Sequence, residues 1–307
     1  MKKFGLIGHP IARSLSPELF KAAYGGKYPY ELIQGEDFET SYQRFLKDYD
    51  GINVTAPFKE LAYAKADIIS DECRIAGATN LLVKTSEGIK AYNSDLLGVR
   101  LWLQETLVHL SGGIEVSKRT PPTSWAPPPA ARGVARFSPT STPPKSKTGT
   151  VCPAEVLVVG CGGAGRAAAA AAVSLGLKCI LINRDITRAE KLQGGLAEMG
   201  YVTEVRPIED FCRCFREADI VIYNIPTAIP QLNELTDSDF TSGKEKYILE
   251  ANYKDPSFND TLINRISSAN PMVQYTGGRT WLLYQALTGY EIFTGERPDL
   301  AGMSSVL

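Results

Sequence analysis

The stretch Val156-Leu157-Val158-Val159-Gly160-Cys161-Gly162-Gly163-Ala164-Gly165 decides the fold of this chain. Its four apolar residues predict a buried strand, and a helical pattern from Arg166 to Leu175 follows the glycines. The glycines match the G-x-G-x-x-G pattern of a dinucleotide-binding turn, in the required place between a strand and a helix. Because glycine lets backbone N–H groups approach closely, the turn can hold a pyrophosphate at the positive end of the helix dipole. Without a ligand, the same stretch would be an ordinary tight turn.

The end of the next predicted strand bears on which nicotinamide cofactor the chain binds. It reads Ile182-Asn183-Arg184-Asp185-Ile186-Thr187-Arg188. The guanidinium groups of Arg184 and Arg188 suit a ribose 2′-phosphate and favour NADP. Asp185 leaves NAD as an alternative, because its carboxylate would accept a hydrogen bond from a free 2′-hydroxyl or repel a phosphate. A surface ion-pair cluster at a helix start would need no ligand at all.

A second series of alternating strands and helices precedes this unit. The pattern over the first hundred residues predicts β-α-β units and therefore parallel strands. We predict strands at 3–7, 28–34 and 51–55, helices at 17–24, 38–46 and 96–110, and an edge hairpin of 80–84 with 89–92. Ser16 is predicted to cap the first helix, with Pro17 as the first helical residue. Later strands are predicted at 156–159, 179–182, 220–223 and 247–249, with a final helix at 281–293.

The chain is therefore predicted to be an α/β protein with two domains and a cleft between them. At 307 residues it exceeds the usual size of a single core. An N-terminal α/β substrate domain is predicted at 1–110, completed by a C-terminal helix in 277–307, and a Rossmann-type NAD(P)-binding domain at 154–276. The segment 111–153 between them is rich in proline, serine, threonine and basic residues, which predicts a flexible insertion. Its charge would also fit a tail that binds nucleic acid or a partner.

The composition favours a small-molecule partner. The 33 lysine and arginine residues nearly balance the 34 aspartate and glutamate residues, so no broad field attracts nucleic acid or an anionic membrane. No apolar run approaches membrane-spanning length, and we expect a cytoplasmic protein. Six cysteines show neither zinc spacing nor a disulfide framework, and His9 and His109 are far apart, so no metal is expected. Both a monomer and a homodimer fit the sequence.

A lysine and an aspartate in the N-terminal half can form a proton-donating pair. Lys59 ends the segment Asn53-Val54-Thr55-Ala56-Pro57-Phe58-Lys59 just past a predicted strand, and Asp95 ends Asn93-Ser94-Asp95 beside another. A proton donor together with a hydride carrier predicts a dehydrogenase. Without that chemistry, Lys59 would belong to an exposed salt bridge and Asp95 would be a helix N-cap.

Several motifs resemble those of the shikimate dehydrogenase family, in the family's order and over nearly the whole chain except 111–153. Gly8-His9-Pro10-Ile11-Ala12-Arg13-Ser14-Leu15-Ser16-Pro17 resembles its substrate-binding S-x-S-P loop, and 53–59 is similar to its N-V-T-x-P-F-K segment. Gly77-Ala78-Thr79-Asn80 resembles a G-A-x-N turn, and 93–95 resembles an N-T-D segment. Asn183-Arg184 and Tyr284-Gln285-Ala286 match as well. This combination is far more specific than the glycine turn alone.

The resemblance implies the reversible, NADPH-dependent reduction of 3-dehydroshikimate to shikimate, a step toward aromatic amino acids. It implies that Lys59 and Asp95 are catalytic, since hydride transfer to a carbonyl makes an alkoxide that a nearby cation can protonate. The implied substrate-binding residues are Ser14, Ser16, Thr55, Asn80, Tyr253 and Gln285. The implied cofactor-binding residues are Gly160, Gly162, Gly163, Ala164, Gly165, Asn183, Arg184, Arg188 and Gly278.

The departures from the family pattern all lie on the cofactor side. Asp185, Glu250 and Trp281 stand where the family usually has threonine, aspartate and methionine, and Asn224-Ile225-Pro226-Thr227 is an unusual version of its loop. Two alternatives therefore stay open. One is a quinate/shikimate dehydrogenase that uses NAD, and the other is a non-catalytic NADP-binding regulatory homologue.

Overall fold

The computed structural model describes residues 1–110, 154–240 and 243–307. In these ranges the chain forms two six-stranded sheets, one from the first hundred residues and one from residues after 154. The α/β fold with an N-terminal domain and a Rossmann-type domain, predicted from the sequence, is confirmed. The predicted insertion at 111–153 lies outside the described residues, and the exact domain boundaries stay a prediction.

The N-terminal sheet combines parallel and antiparallel strands. Its strands are β1 (Phe4–Gly8), β2 (Tyr30–Gln34), β3 (Gly51–Val54), β4 (Ile68–Ile69), β5 (Leu81–Thr85) and β6 (Gly88–Tyr92). They lie in the order β2-β1-β3-β5-β6-β4. The predicted β-α-β pattern is confirmed for β1, β2 and β3, which are parallel. The predicted hairpin is confirmed as the antiparallel pair β5 and β6, although the short β4 pairs outside it and takes the edge.

The helices of the first hundred residues surround this sheet. They are α1 (Ser16–Tyr24), α2 (Phe38–Asp48), α3 (Lys59–Ala64), α4 (Asp71–Ala76) and α5 (Ser94–Leu110). The prediction that Ser16 caps α1 is wrong, because Ser16 is already helical and Leu15 occupies the cap position without a side-chain hydrogen bond. The Ser16 hydroxyl instead lies 3.1 Å from the Ser14 hydroxyl, which donates to it.

The second sheet is parallel throughout. Its strands are β7 (Glu155–Val159), β8 (Lys178–Ile182), β9 (Thr203–Arg206), β10 (Ile220–Tyr223), β11 (Lys246–Glu250) and β12 (Val273–Thr276). Their order, β12-β11-β10-β7-β8-β9, is that of a doubly wound Rossmann sheet. Residues 156–159 of the central strand β7 are fully buried, as expected for a strand covered on both faces. The ligand crevice of such a sheet lies where the strand order reverses, between β7 and β10.

The remaining helices cover the Rossmann sheet or return to the first domain. They are α6 (Gly163–Ser174), α7 (Ile186–Glu198), α8 (Phe211–Glu217), α9 (Gln231–Glu234), α10 (Asp260–Ala269), α11 (Gly278–Thr294) and α12 (Leu300–Ser304), with 3-10 turns at Ile208–Asp210 and Asp237–Asp239. Helix α6 begins three residues before its predicted start, so the last glycines of the turn belong to its first turn. Phe293 of α11 stacks on Phe4 of β1, with ring centres 4.8 Å apart, so this helix packs on the N-terminal domain.

Small residues bring the helices under the cleft into close contact. The six alanines at 167–172 of α6 are fully buried and share one hydrophobic cluster with Val99 and Leu103 of α5. A Cβ atom at Gly98 of α5 would lie 2.7 Å from the backbone nitrogen of Gln285 in α11. The two helices therefore meet backbone to backbone, and this contact directs Asp95 and Gln285 toward one cavity.

Candidate active site

A cavity of about 200 Å³ lies at the ends of strands β1 and β3 and against helices α5 and α11. It is smaller than the roughly 300–1,000 Å³ of pockets that hold drug-sized ligands, so it suits a small molecule. The structure brings together in its lining all eight residues predicted as catalytic or substrate-binding. They are Ser14, Ser16, Thr55, Lys59, Asn80, Asp95, Tyr253 and Gln285. Their individual roles stay a prediction, but their convergence comes from segments far apart in the chain.

Lys59 and Asp95 form an ion pair inside this cavity. The Lys59 ammonium donates to Asp95 Oδ2 at 2.5 Å, and the two side chains are 22% and 5% exposed. The alternative that Asp95 is a helix N-cap is wrong, because Asn93 Oδ1 accepts the N-terminal hydrogen bond of α5 from Leu96 N at 3.0 Å. The alternative that Lys59 belongs to an exposed salt bridge is also wrong, since its partner is buried. Asp95 keeps its carboxylate for the lysine in the first turn of α5, where the helix dipole favours negative charge.

Asn80 is held in the cavity wall by the protein's own hydrogen bonds. Its side-chain oxygen accepts from Ser94 N at 2.7 Å, and its side-chain nitrogen donates to Ser94 Oγ at 3.0 Å. Thr55, just after β3, is fixed through its backbone N–H, which donates to Ile7 O at 2.9 Å. One N–H of Asn80 and the hydroxyl of Thr55 are left to face a ligand.

The serine loop and Tyr253 form another wall of the cavity. Tyr290 Oη of α11 donates to Ser16 O at 3.1 Å, which ties the start of α1 to α11. Burial raises the pKa of Tyr253, so its phenol stays protonated and can donate a hydrogen bond. Hydroxyl groups therefore supply most of the polar surface on this side.

The glycine turn has the geometry of a backbone cradle. Gly160 has a φ of 94°, a conformation that favours glycine, and a Cβ at Gly165 would lie 1.7 Å from Gly160 O. A Cβ at Gly162 would meet nothing within 4 Å, so open space lies above the turn. A Cβ at Gly163 would lie 3.7 Å from Lys59 Cδ. The cradle at the start of α6 therefore adjoins the lysine of the other domain.

An unpartnered side chain supports the fit of a dinucleotide here. Asn224 Oδ1, at the end of β10, is buried and has no hydrogen-bond partner among the described residues. Its side-chain nitrogen lies 3.7 Å from the Cβ position of Gly165. A buried acceptor without a donor costs free energy, and a ligand hydroxyl or amide in the cradle would satisfy it.

The end of β8 shows how the polar residues of the predicted 2′-phosphate region are used. Asn183 Oδ1 accepts from Cys161 N at 3.0 Å and so braces the glycine turn. Asp185 caps α7, since its carboxylate accepts from Thr187 N at 3.1 Å and from Thr187 Oγ1 at 2.6 Å. Arg184 and Arg188 are exposed, and Arg188 lies 3.7 Å from the Asp185 carboxylate. Thr187 therefore already donates hydrogen bonds to the Asp185 carboxylate, which was the reason to consider NAD.

Gly278, also predicted to bind the cofactor, begins α11. A Cβ there would lie 2.6 Å from Ala251 O and 2.7 Å from Tyr253 N. Close packing against this backbone accounts for the glycine without a ligand, and its cofactor role stays a prediction.

Two protein-family models match this chain, one in its N-terminal part and one further along. Residues 6–82 match the model described as the shikimate dehydrogenase substrate binding domain. Residues 126–234 match the model described as the alanine dehydrogenase/PNT C-terminal domain, and part of that match lies outside the described residues. The chain thus carries a match to a shikimate dehydrogenase substrate binding domain at 6–82 and is similar over its length to proteins named shikimate dehydrogenase.

Full-length relatives agree with this match. A protein of Carboxydothermus hydrogenoformans named shikimate dehydrogenase (NADP(+)) is 23% identical over 313 residues, which cover 100% of this chain and 96% of the relative. The structure of shikimate 5-dehydrogenase from Thermus thermophilus in complex with NADP(H) and shikimate is similar, with a TM-score of 0.69 and 24% identity over 100% of this chain and 98% of that one. Quinate dehydrogenase from Corynebacterium glutamicum in complex with NAD has a TM-score of 0.73 and 21% identity over 99% and 98% of the two chains. At these identities the structures establish the shared fold.

Four polar or charged residues of the cavity lining were not among the predicted site residues. They are Asn53, Ser94, Lys254 and Tyr290. Asn53 and Ser94 stand inside two of the quoted segments, and Tyr290 lies four residues after Ala286 on one helical face, so adjacency and helical spacing could have identified them. Lys254 follows Tyr253 directly, but it lies in an irregular loop, where the sequence pattern does not predict the direction of a side chain.

The two domains also meet through an ion pair at the mouth of the cleft. Arg166 of α6 donates to the carboxylate of Glu60 in α3 at 3.2 Å. This contact joins the residue after the glycine turn to the residue after Lys59. It is one contact between the domain of the glycine turn and the domain of Lys59, and the Glu60 side chain is 73% exposed.

The remaining predictions concern cysteines, metals and membranes. Cys73, Cys161, Cys179 and Cys214 are buried free thiols, and burial raises the pKa of Cys73 and Cys161 to about 12. In residues 1–110, 154–240 and 243–307, no group of three or more His, Cys, Asp or Glu side chains could hold a metal ion. Over the same ranges, no helix has the length and apolar character needed to cross a membrane.

Proposed function

We propose that this chain is an NADP-dependent oxidoreductase that reversibly reduces 3-dehydroshikimate to shikimate, a step toward aromatic amino acids. The relative named shikimate dehydrogenase (NADP(+)) and the similar structure with NADP(H) and shikimate support this activity. The observation that carries it is the 2.5 Å contact between Lys59 and Asp95 in a polar cavity that adjoins the glycine turn. A proton donor and a dinucleotide cradle then lie on two sides of one small-molecule site.

The reduction needs a hydride and a proton. NADPH, held at the glycine turn, would supply the hydride to the ring carbonyl carbon. As the carbon–oxygen double bond becomes a single bond, the Lys59 ammonium donates its proton to the developing alkoxide. Asp95 holds the lysine in place through their ion pair, and the neutral amine recovers a proton from water, because the Lys59 side chain is 22% exposed. In the oxidative direction Lys59 accepts the hydroxyl proton.

The small polar side chains of the cavity match a hydroxylated ring acid. Ser14 and Ser16 would donate to its carboxylate, whereas Thr55, Asn80 and Gln285 would bind ring hydroxyls. Asn80 is already oriented by Ser94, so its position costs little freedom on binding. An apolar ligand would leave these groups without partners.

The cofactor side supports NADP. The N-terminal N–H groups of α6 at 163–165 would hold the pyrophosphate, and Arg184 and Arg188 would bind the 2′-phosphate. The Asp185 carboxylate, which argued for NAD, is bonded to Thr187 as a helix cap. The exposed guanidinium groups of Arg184 and Arg188 and the engaged Asp185 carboxylate together favour the phosphorylated ribose.

Steady-state rates with four pairings test this function. Shikimate and quinate are each oxidised with NADP and with NAD, and the expected largest kcat/KM belongs to shikimate with NADP. A larger kcat/KM for quinate with NAD would establish the quinate alternative. Absence of any NADPH oxidation with 3-dehydroshikimate would establish the non-catalytic alternative.

We place the enzyme in the cytoplasm, with small-molecule ligands and neither nucleic acid nor a membrane as partner. Both a monomer and a homodimer fit this proposal.

A further inference from the structure

Lys254 is a cation of the substrate cavity that the reaction described above leaves unused. It lies in the loop after β11, next to Tyr253, and both residues line the cavity. Among the described residues it forms no salt bridge, and its ammonium lies 5.7 Å from the centre of the Tyr253 ring. Lys254 is exposed to solvent, as lysines without a salt bridge usually are, and it also lines the cavity, where a ligand could pair with it.

The charges of the cavity sum to one positive charge. Lys59 and Asp95 neutralise each other at 2.5 Å. The two tyrosines of the lining, Tyr253 and Tyr290, stay neutral because burial raises the pKa of each. Lys254 is the remaining ionised group of the lining. The cavity is therefore complementary to a ligand with a single negative charge.

Two anchors hold the loop that presents Lys254. On one side, Asn252 Oδ1 accepts from the backbone N–H of Lys254 at 3.1 Å. On the other, the fully buried Glu250 carboxylate accepts from Ser257 N at 2.6 Å and from Phe258 N at 3.3 Å. The backbone at Lys254 is thus fixed without a ligand, so the side chain starts from a defined place at the cavity wall.

The loop of Lys254 and the two serines line the same small cavity of about 200 Å³. Tyr253 and Leu15, which stands between Ser14 and Ser16, also pack against the same hydrophobic cluster. An anion that accepts hydrogen bonds from the two serines therefore comes within reach of a cation beside Tyr253.

We propose that Lys254 recognises the carboxylate of the substrate and so determines the preference of the site for anionic ring acids. This inference rests on the proposed function. Lys254 is a binding residue, whereas the proton in the reaction comes from Lys59. A charged donor strengthens the neutral hydrogen bonds of Ser14 and Ser16 and contributes to binding before and during the reaction alike.

The test compares Lys254→Met and Lys254→Arg with wild type, using shikimate and its uncharged methyl ester as substrates with NADP. Lys47→Met, an exposed lysine on α2, is the matched control for the loss of one positive charge. We expect Lys254→Met to raise the KM for shikimate about 5- to 20-fold, with kcat and the KM for the ester within about twofold of wild type. Lys254→Arg should keep most of the shikimate affinity, and Lys47→Met should change nothing.

An unchanged KM for shikimate in Lys254→Met would overturn the inference. Equal losses for shikimate and its ester would also overturn it, since the loop would then act by shape and not by charge. Calorimetric titration of each variant with shikimate keeps the two proposals distinguishable. A wild type that binds shikimate but does not oxidise it refutes the proposed function, and the ratio of the dissociation constants still tests Lys254. A wild type that does not bind shikimate refutes both.

Discussion

The substrate half and the cofactor half of the cleft differ in how their polar groups are held. In the substrate half, Asp95 is bonded to Lys59 and Asn80 to Ser94 without any ligand. In the cofactor half, the glycine turn offers backbone groups, and the charged Arg184 is exposed. Groups that are already held lose little freedom when a ligand binds, whereas exposed long side chains must be ordered at that moment. We therefore expect changes in the substrate half to lower turnover, and changes at the exposed arginines to lower affinity for one cofactor.

The largest effect is expected for Lys59→Met. The variant keeps the length of the side chain near Gly163 but removes the group proposed to exchange a proton with the substrate, so kcat for shikimate oxidation should fall about 10²- to 10⁴-fold. The dissociation constant for NADPH, measured by fluorescence titration, should change less than about threefold, because the part of Lys59 that a Cβ at Gly163 would meet is the apolar Cδ, which methionine replaces with an atom of similar size.

Lys65→Met is the matched control for this change. Lys65 directly follows α3 and pairs with Glu39 at 2.8 Å on the surface. Loss of a surface pair is worth at most about 1 kcal/mol, and kcat should stay at the wild-type value. Near-normal turnover in Lys59→Met would refute the mechanism and remove the difference between the two halves.

The second effect is expected in the glycine turn. Gly165→Ala places a Cβ 1.7 Å from Gly160 O, so the turn or the start of α6 must move. Backbone N–H groups that have moved by this amount no longer converge on a pyrophosphate, and we expect NADPH to bind at least about tenfold more weakly. Overpacking of this kind should also lower the free energy of unfolding by about 1–3 kcal/mol.

Gly195→Ala is the matched control because it makes the same substitution inside α7 of the same domain. A Cβ at Gly195 meets nothing within 4 Å, and helix propensity should raise the free energy of unfolding by up to about 1 kcal/mol. Chemical denaturation and NADPH titration check both variants. NADPH affinity equal to wild type in Gly165→Ala would contradict a backbone cradle at this turn.

Much of this comparison could be predicted from the sequence. The glycine turn is local, since a strand, a turn and a helix follow one another within about twenty residues, and its chemistry depends on backbone conformation. The segments around Lys59 and Asp95 are also short, and each directs its side chain from the end of a strand. Because β3 pairs antiparallel with β5 and β5 pairs antiparallel with β6, the carboxyl ends of β3 and β6 lie at the same edge of the sheet. Local pattern and topology together predict the convergence of the site.

The residues that escaped prediction depend on contacts between distant segments. Lys254 lines the cavity only because Asn252 and Glu250 anchor its loop. Lys246, at the start of β11, is 1% exposed, and its ammonium donates to Phe215 O at 2.7 Å and to Ala218 O near the end of α8. Desolvation lowers the pKa of Lys246 to about 8. No periodicity in the sequence indicates a buried lysine, because its partners are carbonyl groups, which every residue has.

The smallest effects are expected at the two arginines after β8. They test whether the exposed groups of the cofactor half distinguish NADP from NAD. Arg184→Ala should raise the KM for NADP about tenfold, because it removes a charge-assisted contact to the 2′-phosphate. Arg188→Ala should raise it only about threefold, since the guanidinium is shared with Asp185 at 3.7 Å. Neither change should affect the KM for NAD, which has no 2′-phosphate.

Arg74→Ala is the matched control for both arginines. Like Arg188 with Asp185, Arg74 forms an i,i+3 pair with an aspartate, Asp71 at 2.9 Å, and it lies on a helix of the other domain. Its KM for NADP should equal that of wild type, so any loss in Arg184→Ala reflects position and not the removal of a surface charge. A parallel rise of the KM for NAD in Arg184→Ala would mean that the arginine contacts a part that both cofactors share. Because salt screens attraction between exposed charges, high salt should weaken NADP binding in wild type more than in Arg184→Ala. Equal salt dependence in the two proteins would show that Arg184 makes no electrostatic contact with NADP.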